Sequence, residues 1–201
     1  MSQFYAAFSS SPSGIQERQD TRVYFHHSPA QTQATGKCKG VVWMCNPGSA
    51  TGASTAWGPL RSDPTLNAVL RLYQDAVKAA VKVPSPNDYI AILNCFYTCN
   101  PDVGVAFQQW LTLLKPHSES IDPAAAFVIA AWGTDKPYGL VCKSMNEISR
   151  RKIPVFFHDP TSAPATLVST SFERAWFQAH PLSSSFSANS LALASAIGPF
   201  L

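Results

Sequence analysis

From Gly40 onward, short uninterrupted apolar runs alternate with amphipathic stretches, the rhythm of buried strands joined by helical crossovers. Val41 to Cys45, Tyr89 to Cys95, Phe127 to Trp132 and Pro154 to Phe157 are of strand length, and Arg174 to Ala179 is a last strand candidate before His180 and Pro181. Asp63 followed by Pro64 is an N-cap with a proline at the first helical position, and Leu66, Val69, Leu70, Tyr73, Val77 and Val81 then recur at helical spacing. Asp102 opens a second helix whose Val103, Phe107, Leu111 and Leu114 share a face. Weaker helices are predicted over Leu140 to Arg151 and Leu191 to Ile197.

Strands without polar alternation imply burial on both faces, and helices between them imply right-handed crossovers onto a parallel sheet. The expected class is therefore α/β, with three α/β/α layers and a mostly parallel central sheet. The first 22 residues are rich in Ser, carry Pro12 and Gly14 and show no apolar period. They are expected to be a flexible or late-ordering extension, and residues 23–201 a single domain.

The chain has 201 residues, of which 46% are hydrophobic and 13% charged, far from the composition of disordered chains and sufficient for one core. No run approaches the roughly 18 consecutive apolar residues of a membrane helix, and the N-terminus has no basic start with an apolar stretch. A cytoplasmic monomer without membrane contact is the expectation. The net charge of +3 permits a polyanionic partner without requiring one. Five cysteines (38, 45, 95, 99 and 142) are an odd number lying partly in apolar runs, so buried thiols fit better than disulfides, metal ligands or a cluster.

In open α/β sheets ligands bind beyond the carboxyl ends of the strands. That rule selects Asn46, Pro47 and Gly48 after the first strand of this series, Asn94 at the end of the second, Trp132, Gly133 and Thr134 after the third, and His180, Pro181, Leu182 and Ser183 near the end. Two amides, a histidine and small residues on one rim make a polar pocket that can read hydrogen-bond edges and stabilise an anion. There is no phosphate loop, no GxGxxG, no HExxH and no GxSxG, so the usual support for nucleotide cofactors, zinc hydrolases and serine hydrolases is missing.

A strand ending in Asn46-Pro47-Gly48, a strand ending in Leu93-Asn94, an apolar run ending in Trp132-Gly133 and a late His180-Pro181-Leu182-Ser183 loop together resemble the uracil-DNA glycosylase superfamily, above all its mismatch-specific thymine/uracil branch. The chain also resembles a bacterial family of uncharacterised proteins that share the Asn-Pro turn and a downstream Asp-Pro-Thr, here Asp63, Pro64 and Thr65. The first resemblance implies a metal-free, cofactor-free, monofunctional DNA glycosylase that flips a damaged or modified base out of DNA and leaves an abasic site. Asn46 would position the attacking water and His180 would stabilise the departing base. Asn94 would pair with the edge of that base, Trp57 would stack on it and Gly48 would line its pocket. Ser183, Ser184 and Ser185 would grip the phosphate backbone.

The bond chemistry is compatible with this. Cleavage of an N-glycosidic bond passes through an oxocarbenium-like sugar, so stabilising charge on the leaving base counts for more than a strong base, and an asparagine can serve. The loop after His180 lacks the second Ser-Pro of the uracil-specific branch. A wider pocket would then suit a modified pyrimidine, including the hypermodified bases of some phages, with a role in phage defence or base-excision repair. A non-catalytic reader of modified bases and a hydrolase of free nucleosides or nucleotides are the alternatives.

Overall fold

A run of apolar side chains near the N-terminus, Phe4 to Phe8, lies in the first of the sheet's eight strands. The computed structural model describes residues 2–28, 36–49, 56–116, 119–132, 146–157, 166–168 and 184–201. In it β1 (Ser2–Ser10) and β2 (Gln16–Ser28) form an antiparallel hairpin. Its turn is closed by the Gly14 N–H donating to the Ser11 carbonyl at 2.9 Å, with Gly14 at φ +79°, where a side chain would be strained. The loose extension expected over 1–22 is thereby overturned, and a boundary at residue 23 would cut through β2. Phe4, Ala6, Phe8 and Val23 enter one core cluster while Tyr5 and Tyr24 enter another. The apolar run Phe4 to Phe8 divides between both faces of the hairpin, and the Ser, Gln and Glu around it give the segment a polar composition.

The remaining elements are β3 (Cys38–Met44), β4 (Trp57–Pro59), α1 (Pro64–Ala80), β5 (Tyr89–Asn94), α2 (Val103–Leu113), β6 (Val128–Ala131), a helical stretch over 146–151 taken as α3, β7 (Val155–Phe157), β8 (Thr166–Val168) and α4 (Ser184–Ile197). The strands run in the order β4-β1-β2-β5-β3-β6-β7-β8. Strands β5, β3, β6 and β7 are parallel neighbours. The hairpin joins β5 antiparallel on one side, with β4 antiparallel to β1 at that edge, and β8 pairs antiparallel on the other side. The chain is thus an α/β protein with a mixed sheet, not a mostly parallel one. The expected parallel core is present, but the hairpin adds antiparallel strands that the N-terminal composition concealed.

Within the parallel core, successive residues serve opposite clusters. Val42, Met44, Ile90 and Ile92 pack with Leu66, Val69, Leu70 and Tyr73 of α1 and with Leu193 of α4, whereas Val41, Trp43, Ala91 and Leu93 pack with Ala106 and Trp110 of α2. The Asp63 side chain caps α1 as expected, accepting from the Leu66 N–H at 2.8 Å, with Pro64 opening the helix. The period ends one turn earlier than predicted, because Val81 is the left-handed C-cap at φ 52° and is exposed. Asp102 caps α2 likewise. The buried face of α2, however, is Ala106 and Trp110, and Leu111 and Leu114 face solvent. The small Ala106 lets the helix approach the sheet, and the Trp110 ring meets Tyr97 edge-on at 5.1 Å. The strand candidate over 174–179 lies outside the described residues. Among the described residues no helix is long and apolar enough to cross a membrane.

Gly40 marks the tightest approach in this core. A β-carbon there would lie 2.3 Å from the Phe127 ring, which is itself fully buried against Phe156. Gly40→Ala is therefore expected to destabilise the fold by about 1–3 kcal/mol through overpacking. Urea unfolding of Gly40→Ala beside the double variant Gly40→Ala/Phe127→Leu checks this, since trimming the ring should restore part of the loss. Equal losses in both would place the strain elsewhere.

Candidate functional site

The chain leaving β3 passes through β4 at the sheet edge and α1 before entering β5 on one side, and the chain leaving β6 enters β7 on the other. The carboxyl ends of β3 and β6 therefore flank the point where the winding reverses, the crevice in which ligands of such sheets bind. The turn that follows β3 is Asn46-Pro47-Gly48. Gly48, at φ +67°, closes this turn beside Asp63, whose Oδ2 lies 3.9 Å from where a β-carbon at 48 would stand. The Asn46 Nδ2 donates to the Asn100 carbonyl at 2.8 Å. Since a carbonyl can only accept, this contact fixes the amide orientation and leaves Oδ1 as the acceptor that Asn46 can offer a ligand or a water.

Asn46, Gly48, Arg18, Asp63, Thr65 and Met44 are among the residues lining a cavity of about 240 Å³ at this end of the sheet, and Pro47, Pro64 and Pro101 supply apolar walls. One water occupies about 30 Å³ of liquid. The cavity is large enough for a single heterocycle.

The structure brings Asn46 and Gly48 together here and separates them from Asn94, Trp57 and Trp132. Asn94 is fully buried and alternates with Ile90 and Ile92, which puts it on the same sheet face as Met44, yet it does not line the cavity. Trp57 is placed elsewhere. Its ring stacks on Tyr5 at 6.0 Å, lies under the Arg22 guanidinium at 5.2 Å and packs with the cluster on the opposite face. The expected stacking partner is thus a strand residue held by its neighbours in the hairpin, and no described residue lining the cavity is aromatic. Trp132 is a core residue. Ser184 and Ser185 begin α4, and His180, Ser183, Gly133 and Thr134 lie outside the described residues.

Cys38, Cys45 and Cys95 are buried, and Cys99 is half-buried. Burial pushes the Cys38 thiol up to about 12 and that of Cys99 to about 11, so both stay protonated at neutral pH.

The principal residues that the sequence reading missed are charged and buried. Glu17 and Arg18 of β2 are 0% and 2% exposed. Glu17 accepts from Ser9 at 3.3 Å and forms an ion pair with Lys115 of the segment after α2. Burial pushes the Arg18 guanidinium below its ordinary value, against the opposing pull of Cys99, Asp63 and Glu119. Glu119 takes the Asp20 N–H on Oε1 at 2.7 Å and the Asn94 N–H on Oε2 at 3.1 Å. Burial nevertheless raises its carboxyl to about 7. The sequence signal was present in the alternation Thr21, Val23, Phe25, which marks a strand and so carries Glu17 and Arg18 into the sheet with it.

Comparison of the chain with protein-family models, with curated proteins and with solved structures finds no match.

The raised Glu119 value carries a pH dependence of stability. The folded chain holds this proton to about pH 7, while an unfolded chain releases it near the ordinary 4.5. The unfolded state then binds fewer protons in that window, so the Glu119 contribution falls as pH rises from about 4.5 to 7. The slope is at most about 1.4 kcal/mol per pH unit. Urea unfolding at pH 5 and pH 7 should show wild type losing about 2–3 kcal/mol more than Glu119→Gln over this interval. Parallel losses would remove the assignment.

Proposed function

We propose that this chain is a DNA glycosylase, which flips a damaged or modified base into the cavity at Asn46 and hydrolyses its N-glycosidic bond. The observation that carries the reading is the Asn46 amide, pinned by the Asn100 carbonyl on the wall of a base-sized cavity at the carboxyl end of β3. Residues of α1 and α4 in one core cluster and of α2 in the other support a three-layer α/β/α arrangement of the uracil-DNA glycosylase type.

In this reading the C1′–N bond breaks first and its electron pair leaves with the base. The Asn46 Oδ1 holds a water by accepting its hydrogen, and the water oxygen then bonds to the electron-poor C1′. The proton lost by the water ends on the departed base, giving a neutral base and an abasic sugar. An amide is no general base, so the rate depends on how easily the base departs. Asp63 also lines the cavity, but its Oδ1 is engaged by the Leu66 N–H. His180 keeps the proposed role of assisting the leaving base and Ser183, Ser184 and Ser185 that of contacting the phosphates, whereas Asn94, fully buried and off the cavity wall, has no contact with the base in this reading. Met44 and the prolines take the place of a stacking ring against the base face.

The test is incubation with duplex and single-stranded DNAs carrying uracil, mismatched thymine, hypoxanthine or modified cytosines, followed by alkaline cleavage at abasic sites. Release of at least one base is expected, with Asn46→Ala slower by about 100-fold or more. No cleavage on any substrate, or an Asn46→Ala variant equal to wild type, would falsify the reading. Tight binding of a modified duplex without release would reassign the chain as a reader.

A further inference from the structure

The same cavity holds a cation that the reading above does not use, and the inference drawn from it rests on that reading. Arg18 is 2% exposed and lines the cavity with Asn46 and Gly48, the sole cationic residue among the described residues that do so. Its backbone is fixed on both sides, paired with Phe8 across the hairpin and donating its N–H to the Tyr97 carbonyl at 2.9 Å. Asp63 caps α1 through Oδ1, and the two oxygens of Glu119 each take a backbone N–H. Burial outweighs the attraction of these groups for the guanidinium.

A buried cation of this kind stabilises most a partner whose negative charge grows during the reaction, because the interaction then strengthens in the transition state. Arginine offers five N–H donors and no acceptor, and it keeps its protons throughout. Whatever faces it in the cavity must therefore present acceptor atoms.

We propose that Arg18 is a catalytic residue that holds the departing base as an anion through a ring carbonyl oxygen. When the C1′–N bond breaks, its electron pair passes into the base and spreads to that oxygen, where the guanidinium meets it. Water bonds to C1′, and the water's proton finally neutralises the base. The site thereby selects bases with an exocyclic oxygen over those that present only an amino group.

The experiment measures single-turnover release of uracil and of 5-fluorouracil from otherwise identical oligonucleotides. Arg18→Gln should slow uracil release by about 100-fold or more, the scale of one lost oxyanion donor. It should slow release of the more acidic 5-fluorouracil by less than about 10-fold, since a better leaving group needs less help. Equal losses on the two bases overturn the proposal, as a merely structural role for Arg18 predicts. Circular dichroism establishes whether Arg18→Gln folds. Calorimetric titration of the wild-type chain with free uracil, hypoxanthine and adenine is an arm that needs no variant. Binding of the two oxo bases at least about 10-fold tighter than adenine is expected from the donor-only guanidinium, and no such preference overturns the proposal. If wild type binds oxo bases but releases none from DNA, the base-release reading falls while the acceptor-holding role of Arg18 stands. If it does neither, both fall.

Discussion

The antiparallel seam between β2 and β5, running from Thr21 opposite Ile92 to Tyr24 opposite Tyr89, is the constraint on which the rest of the molecule depends. A parallel core ending at β5 would expose a row of unpaired backbone donors and acceptors on an apolar strand. The hairpin satisfies that row, and its register carries Glu17 and Arg18 past the end of β5 to the side where the parallel strands finish. The seam stops at Thr21, where Asp20 turns left-handed at φ 46°. Two backbone N–H groups, those of Asp20 and Asn94, then meet the Glu119 carboxylate. One side chain thus closes the ladder at the point where the strands part.

Stability alone gives little reason to gather charge there. Removing ions from water is costly, and buried pairs are often no better for stability than apolar residues of similar volume. Glu17 with Lys115, Arg18 and Glu119 gather at this end of the sheet, near the cavity; both faces are packed with apolar side chains, and the opposite end holds the buried Asp88 beside Lys39. Charge that is costly to bury and stands at the rim where ligands enter can serve something other than cohesion. This coincidence, more than any single contact, directs attention to Arg18.

The parallel core was legible because its strands are apolar on both faces. Val41 to Cys45, Tyr89 to Cys95, Phe127 to Trp132 and Pro154 to Phe157 needed only their length and composition to be recognised. The caps Asp63 and Asp102 were legible because capping is local chemistry. Asn46 followed from the strand-end rule. The hairpin was not legible, since its two faces divide Phe4, Ala6 and Phe8 from Tyr5, and its short apolar runs are set among Ser, Gln and charged residues. Arg18 was missed for the same reason, because a charged residue in a polar stretch is by default exposed. Trp57 was misplaced because an aromatic in a Gly-rich stretch carries no record of which face it will take, and only the pairing of β4 with β1 sets it against Tyr5. The face of α2 was missed because Ala106, too small to register in an apolar period, is what allows the closest approach to the sheet.

An asparagine at 46 and an arginine at 18 make more sense together than either does alone. A carboxylate at position 46 would face the Arg18 guanidinium across one small cavity of low polarisability, where opposite charges attract far more strongly than in water. The cation would then be partly neutralised before any substrate arrived, and its differential attraction for an anionic leaving group would shrink. A neutral amide adds no second carboxylate to the Asp63 already on that wall and still offers an oxygen to a water. In the proposed reaction, help is thereby moved from the attacking water to the departing base, which is the better place for it when bond breaking runs ahead of bond making. The hairpin, by supplying the cation from outside the parallel core, is what makes an uncharged residue sufficient at the end of β3.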